Sequence, residues 1–250
     1  MTVSPTARPQ RPPTGDGDAE MASAIARRPS AEATLAPPLR RDAARNRDKI
    51  LAAARVAFDE EGFDVGVEAI AHRAGVGVGT LYRRFPTKEL LIDSVVVEVL
   101  RDVLAEANKA LDEASATEGL AVYLRAVGRL QFEHSGCLAR LWNDSHDDIR
   151  DEIETATTEL LNRAQRAGAV RLELVYEDII VLFWSLRGVI EATSTVSSNA
   201  WLRHLDLLLS SLAPDGKALR HPPLTPHQIR QAKAVLAGRG TFAPKRPPTA

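Results

Sequence analysis

The sequence predicts an all-α fold in which a small N-terminal helix-turn-helix unit precedes a larger helical domain. Three observations point that way. Apolar residues recur at helical spacing, as in Ile50, Leu51, Ala54 and Phe58, in Leu91, Val95, Val99 and Val103, and in Leu202, Leu205, Leu208, Leu209 and Leu212. Helix stops and starts separate these runs, notably Gly62, Thr87, Gly168 and the pair Thr225-Pro226. No strand pattern competes with them.

Residues 1–38 are rich in Pro, Gly and Thr and carry no apolar run, so disorder is expected there. A first helix follows from Arg45 to Gly62, where glycine ends it. Val67 to Pro86 then reads as a helix-turn-helix. Ile70, Ala71 and Ala74 form the inner face of its first helix, Gly75 supplies a positive φ at the reversal, and Val76 and Leu81 turn back toward the same core. Ala71 must be small because the second helix crosses close to it. Thr87 caps a long helix from about Lys88 to Ala114. Further helices are expected over Glu118–His134, Leu138–Trp142, Asp147–Ala167, Tyr176–Thr193 and Ala200–Leu212. Thr225-Pro226 can start a short helix over 226–236. The domain organisation is then a tail over 1–38, a helix-turn-helix domain over 39–92, a helical domain over 93–213 and a C-terminal tail over 214–250.

The surface left over on the motif is suited to phosphates. Thr80, Tyr82, Arg83, Arg84 and Lys88 cluster on or just after its second helix, and no acidic residue stands between Glu68 and Glu89. Arg and Lys neutralise phosphates, and Thr and Tyr hydroxyls donate to phosphate oxygens. Arg40, Arg41, Arg45 and Arg47 form a second basic group where the tail meets the first helix. Such an arm can enter a minor groove, or it can be a solvated helix start.

The run Gly79-Thr80-Leu81-Tyr82-Arg83-Arg84-Phe85-Pro86-Thr87-Lys88-Glu89-Leu90-Leu91 resembles the signature of the tetracycline-repressor (TetR) family of bacterial one-component regulators. The preceding helix is also similar, so the resemblance covers roughly Arg41 to Val95. It implies double-stranded DNA as partner, with Thr80, Tyr82 and Lys88 touching backbone or base edges. It also implies a homodimer on a palindromic operator and a C-terminal domain that binds a small-molecule effector of unknown identity. Repression is the family's default. The chain departs from the pattern at Gly66-Val67 and Gly77, where the family often has Ser or Thr, so two hydroxyl contacts are missing. Base readout beside Val78 and Gly79 would be apolar, as against a thymine methyl, and Arg83 or Arg84 remains to read guanine.

Composition agrees. The formal charge is −1 over 250 residues, which gives no global attraction to nucleic acid. From Arg40 to Leu91, however, ten Lys or Arg face eight Asp or Glu, and the acidic run Asp59-Glu60-Glu61 stands away from the motif. The single cysteine, Cys137, excludes an internal disulfide and a cysteine zinc site. The longest apolar run, Ile179 to Trp184, is six residues, far short of the roughly 20 that span a bilayer. No secretory signal is evident, and a cytoplasmic location is expected. No metal and no cofactor are expected.

The later helices carry the remaining candidates. The helix Tyr176–Thr193 is apolar over most of its circumference, which suits either a central bundle helix or a dimer interface shared with the Leu202–Leu212 stripe. Tyr123, Phe132, Leu138, Leu141, Trp142, Phe183 and Trp184 are candidates to line an apolar ligand pocket, or are plain core. Arg187 is the one basic group on its apolar helix. It needs an anion, either Glu191 four residues on or a ligand carboxylate or phosphate. A different reading, a helical metal-dependent phosphohydrolase, rests on His146-Asp147. That pair lacks the further His and Asp ligands such a site needs, and acidic residues there also suit a helix N-terminus.

Overall fold

The computed structural model describes residues 37–135 and 146–238, with the side chains at 37–41, 113, 237 and 238 left out of the description. The helix expected over Leu138–Trp142 and the tail before Pro37 lie outside the described residues. Within them every element is a helix: α1 (Pro37–Glu61), α2 (Val67–Ala74), α3 (Val78–Arg84), α4 (Lys88–Glu113), α5 (Gly119–Glu133), α6 (Asp147–Arg166), α7 (Tyr176–Thr193), α8 (Ala200–Ser211) and α9 (Pro226–Gly238).

The boundaries follow from the expected local chemistry. Gly62 ends α1 at φ 76° and Gly75 ends α2 at φ 66°. At Gly75 the Val76 amide donates to the Ala71 carbonyl at 3.0 Å and the Gly75 amide to that of His72 at 3.1 Å, a left-handed stop that folds Val76 back onto the core. Gly168 does the same after α6, with Ala169 N–H donating to Ala164 at 2.9 Å. Thr87 Oγ1 accepts from the Leu90 amide at 3.2 Å and starts α4. Thr225 and Gln228 cap α9 reciprocally, the Gln228 amide donating to Thr225 Oγ1 at 3.3 Å and the Thr225 amide to Gln228 Oε1 at 2.9 Å. The first helix starts at Pro37, earlier than expected, because Pro37-Pro38 fits the first turn and the following Ala and Arg residues propagate a helix without an apolar stripe to reveal it.

Two apolar cores result. The first joins α1, α2, α3 and the first half of α4 around Ile50, Phe58, Ile70, Leu81 and Leu91. The second joins the end of α4 to α5, α6, α7 and α8 around Tyr123, Leu124, Leu160, Ile179 and Leu186. Val103 and Leu104 of α4 pack against both, so this one helix runs through the two cores. Gly128 lets α5 approach α7 and α8 closely: a Cβ there would lie 3.0 Å from Leu186 Cδ2 and from Trp201 Cζ3. No described helix is long and apolar enough to cross a membrane.

Candidate nucleic-acid interface and ligand cavity

The helix-turn-helix is held from inside. Ile70 and Ala71 of α2 are fully buried, and Leu81 and Phe85 seat α3 against them at 1% and 4% exposure. With those residues turned in, α3 turns Val78, Gly79, Tyr82, Arg83 and Arg84 outward, with Thr80 half-buried between them and Lys88 half-buried at the start of α4. Gly77 caps α3 through its extended backbone, φ −68° and ψ 145°, without a side-chain bond, and Gly66 does so for α2. The acidic end of α1 is occupied elsewhere: Glu60 and Glu61 receive Arg73 of α2 at 2.6 and 3.2 Å, which ties α2 to α1. Among the described residues no ion pair engages Arg83, Arg84 or Lys88, so their charge is open to a polyanion. In the basic group, Arg45 and Arg47 are residues of α1, and they pair with Asp42 at 3.5 Å and Glu98 at 3.9 Å. The Arg41 side chain lies outside the described residues.

A polar cluster joins α1 to the end of α5. His134 Nδ1 lies 2.9 Å from Asp59 Oδ2, the Arg55 guanidinium abuts the imidazole, and Arg55 Nη2 donates to Asp102 of α4 at 2.6 Å. His134 and Asp59 side chains are only 13% and 17% exposed, so the cluster is largely shielded from water. It was not legible as a unit, because its members are separated by up to 79 positions.

A cavity of about 520 Å³ is lined from both cores. Leu100 and Val103 of α4, Val127 of α5, Ile153 of α6 and Ile180 and Phe183 of α7 give it apolar walls, and Tyr123, Gln131 and Thr157 place polar groups in them. Thr157 Oγ1 donates to the Tyr123 hydroxyl at 3.0 Å. Burial pushes the Tyr123 hydroxyl up to about 12, against the opposing pull of that hydrogen bond, so the phenol stays protonated. Tyr176 is shifted the same way by burial and by the nearby Glu154. The lining also includes the exposed Asp147, Asp151 and Glu154, the half-buried Arg150 and Glu177, and Pro226, Ile229, Arg230 and Lys233 of α9. Desolvation raises the Glu154 carboxyl, Glu177 adds to the shift, and Lys233 opposes it.

The lining departs in part from the sequence-based candidates. Tyr123 and Phe183 are in it. Phe132 instead stacks on Trp201, with ring centroids 5.7 Å apart, and packs on the second core. Trp184 is half-buried on α7 outside the lining. Arg187 is also outside: its Nε donates to Glu191 at 2.6 Å, the intrahelical pair foreseen as one of two partners. Leu138, Leu141 and Trp142 lie outside the described residues. Sequence reasoning missed Gln131, Thr157 and the place of α9 in the lining, although it expected the helix itself over 226–236. Gln131 follows Val127 by four positions and Thr157 follows Ile153 by four, so a polar residue on an apolar stripe was the available signal. His146 precedes α6 in a left-handed conformation, φ 76°, and among the described residues no three His, Cys, Asp or Glu side chains are placed to share a metal ion.

Comparison with known proteins agrees with this architecture. Residues 50–95 match the family model described as bacterial regulatory proteins, tetR family, and residues 107–214 match that of the SbtR-like transcriptional regulator C-terminal domain. A TetR transcriptional regulator of Streptomyces coelicolor is 33% identical, with a TM-score of 0.53, over 68% of this chain and 99% of its own. A TetR regulatory protein of Mycobacterium vanbaalenii is 32% identical, with a TM-score of 0.52, over 70% of this chain and 99% of its own. A curated HTH-type transcriptional regulator of Staphylococcus aureus is 36% identical over 76 residues, which are 30% of this chain and 41% of that protein. A second is 31% identical over 102 residues, 40% of this chain and 55% of its own length. The chain thus spans about half or less of these curated relatives. With both halves of the fold matched in order and near-complete coverage of the solved homologues, the chain belongs to the TetR family of bacterial transcriptional regulators.

Proposed function

We propose that this chain is a ligand-responsive repressor that binds palindromic operator DNA as a homodimer. The observation that carries the reading is α3, whose buried Leu81 turns Tyr82, Arg83 and Arg84 outward with Lys88 beside them and no carboxylate paired to them among the described residues. Thr80, Tyr82 and Lys88 hold the phosphates, and Arg83 or Arg84 reads a base. Arg45 of α1 is 72% exposed and extends the basic surface along that helix.

Dimerisation is supported by apolar surface left on the last two helices of the bundle. Val181 of α7 is 39% exposed, and Leu202 and Leu207 of α8 are 43% and 61% exposed. A two-fold through that surface pairs two reading heads, which a palindrome requires. The route from ligand to DNA follows from shared helices. Leu100 and Val103 of α4 line the cavity, while Leu91 and Val95 of the same helix belong to the DNA-binding core. A ligand that fits better when the two heads are mis-spaced shifts the population away from DNA, by no more than its differential affinity. Selection of bound fragments from random duplex DNA tests the reading: a two-fold symmetric consensus is expected, and recovery of unenriched sequence refutes it.

A further inference from the structure

We infer that α9 completes an effector chamber, and that the chamber takes a neutral, largely apolar molecule bearing one hydroxyl group, which donates to Gln131 Oε1. The inference rests on the ligand-responsive reading above and names the ligand class for that site. The strongest observation is Gln131. It is 4% exposed, it lines the cavity, and its Oε1 is buried without a hydrogen-bond partner. An amide left in that state is costly unless something else satisfies it. Tyr123, eight positions and about 12 Å earlier along α5, offers a separate donor in the lining. Thr157 donates to its oxygen, so the phenolic proton is left to donate to a ligand acceptor, and burial keeps that proton in place.

The charge distribution selects against an ion. The buried part of the lining, Leu100, Val127, Ile153, Ile180 and Phe183 with Tyr123, Gln131 and Thr157, carries no charged side chain. The cations of the lining, Arg150, Arg230 and Lys233, are half-buried or exposed and share it with four carboxylates. An anion inside would lose its hydration without gaining a countercharge. Arg187, the cation that suggested an anionic effector, is not in the lining: its Nε pairs with Glu191, and its buried, unpartnered Nη1 lies outside the cavity.

The lid lies beyond the part of the chain that the family model matches. The family model ends at residue 214, and α9 begins at Pro226. Of the described α9 side chains only Ile229 is buried, at 5% exposure, and it lines the cavity. Lys233, one turn further along, faces Glu154, whose carboxyl it stabilises in the charged form. An apolar plug flanked by a charge attraction holds α9 across the opening while leaving it free to lift, since it buries little else.

Equilibrium dialysis of the full chain against 2-naphthol, 2-naphthoate and naphthalene, with parallel melting curves, tests each part. Wild type is expected to hold 2-naphthol about tenfold or more tighter than 2-naphthoate. Equal or tighter naphthoate binding, or no 2-naphthol binding at its solubility limit, overturns the ligand class. Gln131→Leu is expected to shrink the preference for 2-naphthol over naphthalene about tenfold without lowering the melting temperature, because it removes an unpaired acceptor. A retained preference, or a lower melting temperature, overturns the role of Gln131. Ile229→Asp is expected to weaken 2-naphthol about tenfold at unchanged melting temperature, with Ile229→Leu near wild type. Undiminished binding by Ile229→Asp overturns the lid. Binding to the selected operator is read separately: 2-naphthol binding without DNA binding removes the regulator reading and leaves the chamber, and the reverse removes the chamber alone.

Discussion

Gly128→Ala places a methyl group at the tightest crossing in the effector domain, and its effect can be worked from the distances. The new Cβ would lie 3.0 Å from Leu186 Cδ2, 3.0 Å from Trp201 Cζ3 and 3.3 Å from Leu205 Cδ2. Ordinary carbon contacts are about 3.5 to 4.0 Å, so three neighbours must retreat by roughly half an ångström. None has room: Leu186, Leu205 and Trp201 are 0%, 1% and 6% exposed. Overpacking of this kind costs about 1 to 3 kcal/mol, while alanine in place of glycine inside a helix returns about 1 kcal/mol. A net loss of about 1 kcal/mol is expected, read as a lower urea midpoint at unchanged slope and fixed protein concentration. Val127 and Gln131 flank Gly128 on the same helix and line the cavity, so 2-naphthol affinity should fall as well. A midpoint equal to or above that of wild type would show that α5 has space to move and that the close approach is not required.

Lys88→Ala should weaken binding about equally on operator and random DNA and lower the salt slope by about one unit, whereas Arg83→Ala or Arg84→Ala should relax preference at one base pair, at about 1 to 3 kcal/mol for a bidentate guanine contact. Anisotropy titrations over a salt series separate the two, and an unchanged slope for Lys88→Ala refutes the phosphate assignment. Arg187→Met leaves Glu191, 35% exposed, without its partner and should cost about 1 to 2 kcal/mol, with most of the loss recovered in Arg187→Met with Glu191→Gln. A double variant no more stable than the single one refutes the pairing. Tyr123 binds its proton more tightly folded than unfolded, about 12 against 10.0, so its contribution is complete below pH 10 and is lost as pH rises toward 12. That is about 3 kcal/mol of alkaline destabilisation, and Tyr123→Phe should flatten the high-pH limb of a stability profile. Identical limbs refute the assignment.

Much of the fold is written locally. Tyr176–Thr193 was read to the residue, and Gly75, Thr87 and Gly168 end or start helices as their chemistry requires. Those are short-range decisions, made by one turn of chain. The cavity is different in kind. Whether Phe132 or Gln131 faces it depends on a rotation of about 100° between adjacent helix positions, set by how α5 packs on α7 and α8 rather than by any pattern in α5. Aromatic residues were the natural candidates, yet Phe132 went to Trp201, a residue the pattern did not single out. The contribution of α9 was less accessible still, since a short amphipathic helix says nothing about where along the chain its single apolar anchor will land.

The Arg55, Asp59, Asp102 and His134 cluster bears on how such regulators can be rebuilt. His134 sits three positions beyond Gln131 on the same helix end, and its partners Arg55 and Asp59 belong to the DNA-binding unit. A chimera that grafts a foreign sensor onto this reading head at the start of α4 would break the cluster, leaving Asp59, whose Oδ1 is already without a partner, further exposed to a charge it cannot share. Modularity here has a seam that cuts through side chains, not through the loop between helices. A transplanted sensor should keep this contact with the reading head only if it brings a histidine and an aspartate to those two places.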